Sequence, residues 1–91
     1  MIFYVYLIVS KDKKKTISYV GYTNNLKKRI NLHNSSKGAK FTKGRKWKLI
    51  YYKKYKTKIE AMKNEYRLKK NYIFRNKIKN KPNENINFTT L

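Results

Sequence analysis

Apolar and polar positions along the chain fall into blocks whose period changes. Ile2 to Val9 is an unbroken apolar run of Ile, Val, Leu and aromatic residues. A short continuous run of this kind predicts a buried strand. It is too short to span a bilayer. With no basic region before it and no small-residue cleavage site after it, it is also a poor signal peptide. Ile17-Ser18-Tyr19-Val20 predicts a second strand, paired with the first as a hairpin whose loop is the charged segment Lys11 to Lys15. Gly21 reads as the end of that strand, at a turn or a close approach that a missing Cβ allows.

The pattern then becomes helical. Thr23, Asn24 or Asn25 is a natural N-cap for a helix over Leu26 to Asn34. Leu26, Ile30 and His33 share one of its faces, with Arg29 beside them. Ser35 to Gly44 reads as a basic loop, and Trp47 to Tyr55 as a third strand. Thr57 caps a second helix, with Glu60 completing a capping box. That helix is expected from Lys58 to Lys70 or beyond, with Ala61, Glu65, Leu68 and Tyr72 on one face and Lys63, Arg67 and Lys70 on the other. Pro82 and the Asn-rich residues after it predict a frayed tail. The expected organisation is one α+β domain over residues 1–79, a three-stranded antiparallel sheet flanked by helices, followed by a polar tail over 80–91.

Length and charge narrow the functions open to such a domain. Ninety-one residues leave room for one small domain with a thin core. Lys and Arg number 25 against 4 acids, a net charge of +21. Self-repulsion of that size is relieved by a bound polyanion. Nucleic acid is the first candidate and an anionic membrane surface the second. The absence of Cys excludes disulfides and thiolate zinc sites, and a single His excludes His-rich metal sites. An apolar content of 40% with 15% aromatics is too rich for a disordered basic tail. The expected setting is the cytoplasm, or wherever the cell keeps its nucleic acid, with no membrane partner and no small-molecule cofactor.

Few residues are left to carry chemistry. Of the four acids, Asp12 sits in the Lys-rich loop, Glu60 serves the cap and Glu84 lies in the tail. Glu65 is the acid on the apolar side of a helix, where a carboxylate is costly without a partner. It reads either as half of a structural ion pair or as a ligand of one Mg²⁺ whose shell water and a substrate phosphate complete. Arg29 and His33 are neighbours four residues apart. Arg29 either snorkels over the surface or clamps a phosphate with a planar fork that Lys cannot copy. Tyr4, Tyr6 and Tyr19 either fill a core or, where cations lower a tyrosine's pKa, serve as a base. Lys37, Lys40, Lys43, Arg45 and Lys46 surround Phe41 and Trp47. Cations interleaved with aromatics follow a phosphate backbone and stack on exposed bases. The alternative is that the two rings anchor the loop to the core.

The order Tyr4-Val5-Tyr6, Tyr19-Val20-Gly21, Asn25-Leu26-Lys27-Lys28-Arg29 with His33, and Glu65-Tyr66-Arg67-Leu68-Lys69 resembles the GIY-YIG nuclease superfamily. The resembling branch is the small stand-alone bacterial proteins related to the N-terminal nuclease domain of excinuclease. The loop from Lys37 to Arg45 is similar to that branch's basic loop. The first tripeptide departs from the pattern in lacking the name-giving Gly, and the hairpin loop is longer and more basic. The resemblance implies a metal-dependent endonuclease of repair or recombination type, acting on DNA ahead of RNA. It implies that Glu65 ligates one Mg²⁺ or Mn²⁺ and that Arg29 holds the scissile phosphate. Tyr19 would activate water as general base, Tyr6 would share its hydrogen-bond relay, and His33 would assist in positioning or proton transfer. One apolar-face carboxylate argues for one ion per site rather than a two-metal clamp. The rival readings are a non-catalytic nucleic-acid-binding module and a small ribonucleoprotein component.

Overall fold

The computed structural model describes residues 1–11 and 15–80. Asp12, Glu84 and all of the expected tail except Asn80 lie outside the described residues. Strand β1 (Phe3–Lys11) is central, with β2 (Thr16–Thr23) and β3 (Lys48–Tyr55) antiparallel on either side. Helix α1 (Leu26–Asn34) links β2 to the basic loop, and α2 (Lys58–Lys70) and α3 (Tyr72–Asn80) follow β3. This is the expected α+β architecture, a three-stranded antiparallel sheet flanked by helices. No helix among the described residues is long and apolar enough to cross a membrane.

The apolar run of β1 is buried on both faces because each face meets a different layer. Val5 and Leu7 pack with Val20, Ile50, Ala61 and Leu68, with Ile78 of α3 against them. Tyr6 and Ile8 pack with Leu26 and Ile30 of α1 and with Trp47 and Leu49. Strict alternation fails once, in β3. The register against β1 shifts between Leu7 and Ile8, leaving Ile50 as the extra residue of a bulge. Ile50 and Tyr51 therefore both face α2 and α3, while Leu49 and Tyr52 face α1.

The caps follow local chemistry. Asn25 caps α1, its side chain accepting from the Lys28 amide at 3.1 Å. Thr57 caps α2, accepting from the Glu60 amide, and its hydroxyl meets the Glu60 carboxylate at 3.1 Å.

Two expectations are corrected. Strand β2 does not end at Gly21 but runs through it to Thr23. The face from Ala61 through Glu65 and Leu68 does not continue to Tyr72, which is exposed and belongs to α3. Asn71 breaks the helix, and its side chain accepts from the Phe74 amide to cap α3. Arg75 then donates to the carbonyls of Leu68 and Lys69 at the end of α2 and to the Ser18 hydroxyl of β2.

Candidate active site

A cleft of about 470 Å³ is lined by Phe3, Tyr6, Tyr19, Gly21, Tyr22, Thr23, Asn24, Arg29, Lys58 and Glu65. Four elements deliver its chemistry: Tyr6 from β1, Tyr19 from β2, Arg29 from α1 and Glu65 from α2. The first three belong to the α1 side of the sheet, and Glu65 comes from the helix on the other side. The cleft is therefore the place where the two layers meet. His33 does not line it. It is fully buried behind Tyr6, whose hydroxyl lies 2.8 Å from His33 Nε2.

The Tyr6–His33 pair is held by a short network. His33 Nδ1 is 2.8 Å from Thr42 Oγ1, in a loop residue that is itself fully buried. Thr42 donates its one hydroxyl hydrogen to the Ala39 carbonyl at 3.0 Å. That leaves Nδ1–H to donate to Thr42, and Nε2 to accept from the Tyr6 hydroxyl. Two close approaches fit the pair into place. A Cβ at Gly21 would overlap the Tyr6 hydroxyl, and one at Gly38 would overlap the His33 ring.

Burial sets the proton inventory. It pushes the Tyr6 hydroxyl up to about 12, although the hydrogen bond and positive charge of Arg29 pull the other way. Burial, reinforced by the charge of Arg29, lowers His33 to about 4. At neutral pH Tyr6 keeps its proton and His33 stays uncharged. Glu65 is mostly shielded, and its Oε1 meets Lys69 Nζ at 3.2 Å. Among the described residues no group of three or more His, Cys, Asp or Glu side chains gathers.

The basic loop is only partly one surface. Lys37, Lys40, Phe41 and Lys43 are exposed, with Phe41 stacked on Tyr19 at a centroid distance of 5.9 Å. Trp47 is the buried anchor, its Nε1 donating to the Thr42 carbonyl. Arg45 is half-buried and donates from Nε to Ser10 Oγ at 3.2 Å. Lys46 joins Lys11, Lys48 and Lys79 around a separate pocket of about 340 Å³, which shares no lining residue with the cleft.

Three contributors escape a reading of the sequence. Lys58 precedes Glu65 by seven residues, two helical turns on the same face, and that spacing could have found it. Thr42 carries no local signal, since its value lies in a partner nine residues away. Gly38 shows as a glycine among basic residues, but what it makes room for does not.

The chain matches the GIY-YIG catalytic domain over residues 2–81. It belongs to the GIY-YIG family. It is similar to small stand-alone relatives named as UPF0213 proteins. It is 46% identical over 67 residues to one from Oceanobacillus iheyensis, covering 72% of this chain and 74% of the relative. It is 47% identical over 68 residues to one from Clostridium perfringens, covering 74% and 70%. The solution NMR structure of a UPF0213 protein from Bacillus halodurans is 41% identical, covering 76% of this chain and 71% of that one, with a TM-score of 0.44. These names state no activity. In the register of the GIY-YIG sheet, Tyr6 of the first tripeptide faces Gly21 of the second, and Tyr19 faces Ile8.

Proposed function

We propose that this GIY-YIG chain hydrolyses phosphodiester bonds of nucleic acid, DNA ahead of RNA, in the cleft between its two layers. The observation that carries the reading is the convergence of Tyr6, Tyr19, Arg29 and Glu65 from four separate elements on one cleft, in a chain of net charge +21. Arg29 supplies a fixed cation for the scissile phosphate and for the charge that develops on it. Lys58 adds positive charge to the same wall. Tyr19 lines the cleft and, once its own proton has passed to solvent, takes the proton of the attacking water as general base. Tyr6 retains its own proton, held between Arg29 and His33. His33 is a positioning residue, a buried acceptor that aims the Tyr6 hydroxyl.

The donor set fits a single Mg²⁺ or Mn²⁺. Among the described residues Glu65 is the one carboxylate lining the cleft, and a hard cation accepts one carboxylate when water and phosphate oxygens complete its shell. When bound there, the ion would lower the pKa of water and neutralise charge on the phosphate. Lys69 Nζ, 3.2 Å from Glu65 Oε1, would orient the carboxylate that would hold the ion.

The Glu65–Lys69 pair also favours a second reading, a binding module in which Glu65 is structural. Cleavage of duplex, single-stranded, flap and branched DNA and of RNA decides between them, run with Mg²⁺, with Mn²⁺ and with EDTA. Glu65→Gln is expected to reduce metal-dependent cleavage by roughly 100-fold or more while leaving binding nearly unchanged. Equal cleavage by Glu65→Gln would remove the metal-ligand role. Tight binding with no cleavage under either metal would establish the binding module.

A further inference from the structure

Phe41 is an exposed aromatic in contact with Tyr19 of the cleft, and other residues do the anchoring of its loop. Its chain neighbour Thr42 is fully buried and bonded to His33, and Trp47 is buried with its Nε1 on the Thr42 carbonyl. Those two residues fasten the loop. Phe41 remains 57% exposed. One side of its ring is backed by Tyr19 at 5.9 Å and an interplanar angle of 23°, and it tilts against Trp47 at 6.3 Å. Tyr19 lines the cleft, so Phe41 is the next ring outward from the reacting groups. Exposed Lys40 and Lys43 flank it along the loop. A ring more than half exposed, resting on Tyr19 and Trp47 and bordered by cations along the loop, suits a nucleobase whose phosphates the lysines hold.

We propose that Phe41 is a stacking platform for an unpaired base beside the scissile phosphate, so that the substrate is nucleic acid with an unstacked nucleotide at the cleft. This rests on reading the cleft as the phosphodiester site. In continuous duplex both faces of each base are already stacked, and Phe41 gains a partner only if a base is first extruded, at a cost. A single strand, or the unpaired arm of a flap, offers a free face without that cost. Specificity for structure then comes from a π-face, with no reading of base edges.

The test uses the full chain in EDTA, so that nothing is cut, with oligonucleotides carrying 2-aminopurine at successive positions. Single-stranded and flap substrates are expected to show quenching at one position, and duplex none. Phe41→Ala is expected to abolish the quench and weaken single-strand binding roughly 10-fold, with duplex binding unchanged. Phe41→Leu keeps an apolar cover over Tyr19 without a π-face, and is expected to behave as Phe41→Ala. Phe41→Trp is expected to retain both quench and affinity. Thermal unfolding of each variant keeps a folding defect separate from a stacking defect. Wild-type behaviour in Phe41→Leu would overturn the proposal and make Phe41 a simple cover. So would duplex binding as tight as single-strand binding with no quench at any position. Because no cleavage is measured, a failure of the nuclease reading leaves the stacking result standing. An active nuclease with no Phe41-dependent quench would overturn stacking alone.

Discussion

On one face of β1, Val5 and Leu7 meet Val20, Ile50, Ala61 and Leu68, and every buried member of that cluster is apolar. On the other, Tyr6 and Ile8 meet Leu26, Ile30, Trp47 and Leu49, with His33 and Thr42 buried nearby. The first face is held by apolar burial, which has no direction and tolerates any well-filling shape. The second depends on pairs of polar atoms at 2.8 Å, each of which must find its partner. Among the described residues no buried side-chain nitrogen or oxygen is left without one. One face therefore supplies generic stability, while the other holds the geometry of the site.

The sharpest way to break that contrast is to damage each face separately. Leu7 is fully buried on the apolar face. Leu7→Ala is expected to cost about 2–5 kcal/mol of stability in denaturant unfolding. Cleavage per folded molecule should not change, and a loss there would mean that the two faces are coupled.

Acid should act through the polar face. His33 is lowered from 6.5 to about 4 in the folded chain. Between those values the unfolded chain binds the proton and the folded chain does not. Stability is therefore full above pH 6.5 and falls as the pH drops toward 4, by on the order of 3 kcal/mol in all. Unfolding measured across that range should show the slope, and His33→Gln should flatten it. A slope that survives in His33→Gln would assign the titration to another group.

The smallest expected effect on stability is the most diagnostic of function. Tyr6→Phe removes the hydroxyl and leaves His33 Nε2 buried without its donor, at a cost of about 1–3 kcal/mol. Unlike Leu7→Ala, it should also slow cleavage by the folded protein. Normal turnover with reduced stability would make Tyr6 part of the core and nothing more.

Much of the fold was legible because its signals are local. The apolar run of β1, the Asn25 and Thr57 caps and the faces of α1 and α2 each depend on a few neighbouring residues. The break after α2 was not legible from periodicity, since Ala61, Glu65, Leu68 and Tyr72 fit one continuous helix. Asn71 and Arg75 end it, and Arg75 does so while bonding Ser18, which is 57 residues away. Lys46 reads as part of the basic loop by position, yet its side chain borders a pocket with Lys11, Lys48 and Lys79. Arg45, adjacent in sequence, turns to Ser10.

By itself the sequence determined the kinds of elements, their order, the positive field and the short set of residues able to do chemistry. Periodicity, capping and charge are properties of nearby residues, and a linear chain displays them directly. Only the tertiary structure decided which polar atoms meet. It placed Glu65 from one layer opposite Tyr6, Tyr19 and Arg29 from the other, and put His33 behind Tyr6 across 27 residues of chain. It also left Phe41 open where Trp47 is closed. Hydrogen bonds and burial are set by distances through space, and no local pattern records those distances until the layers have packed.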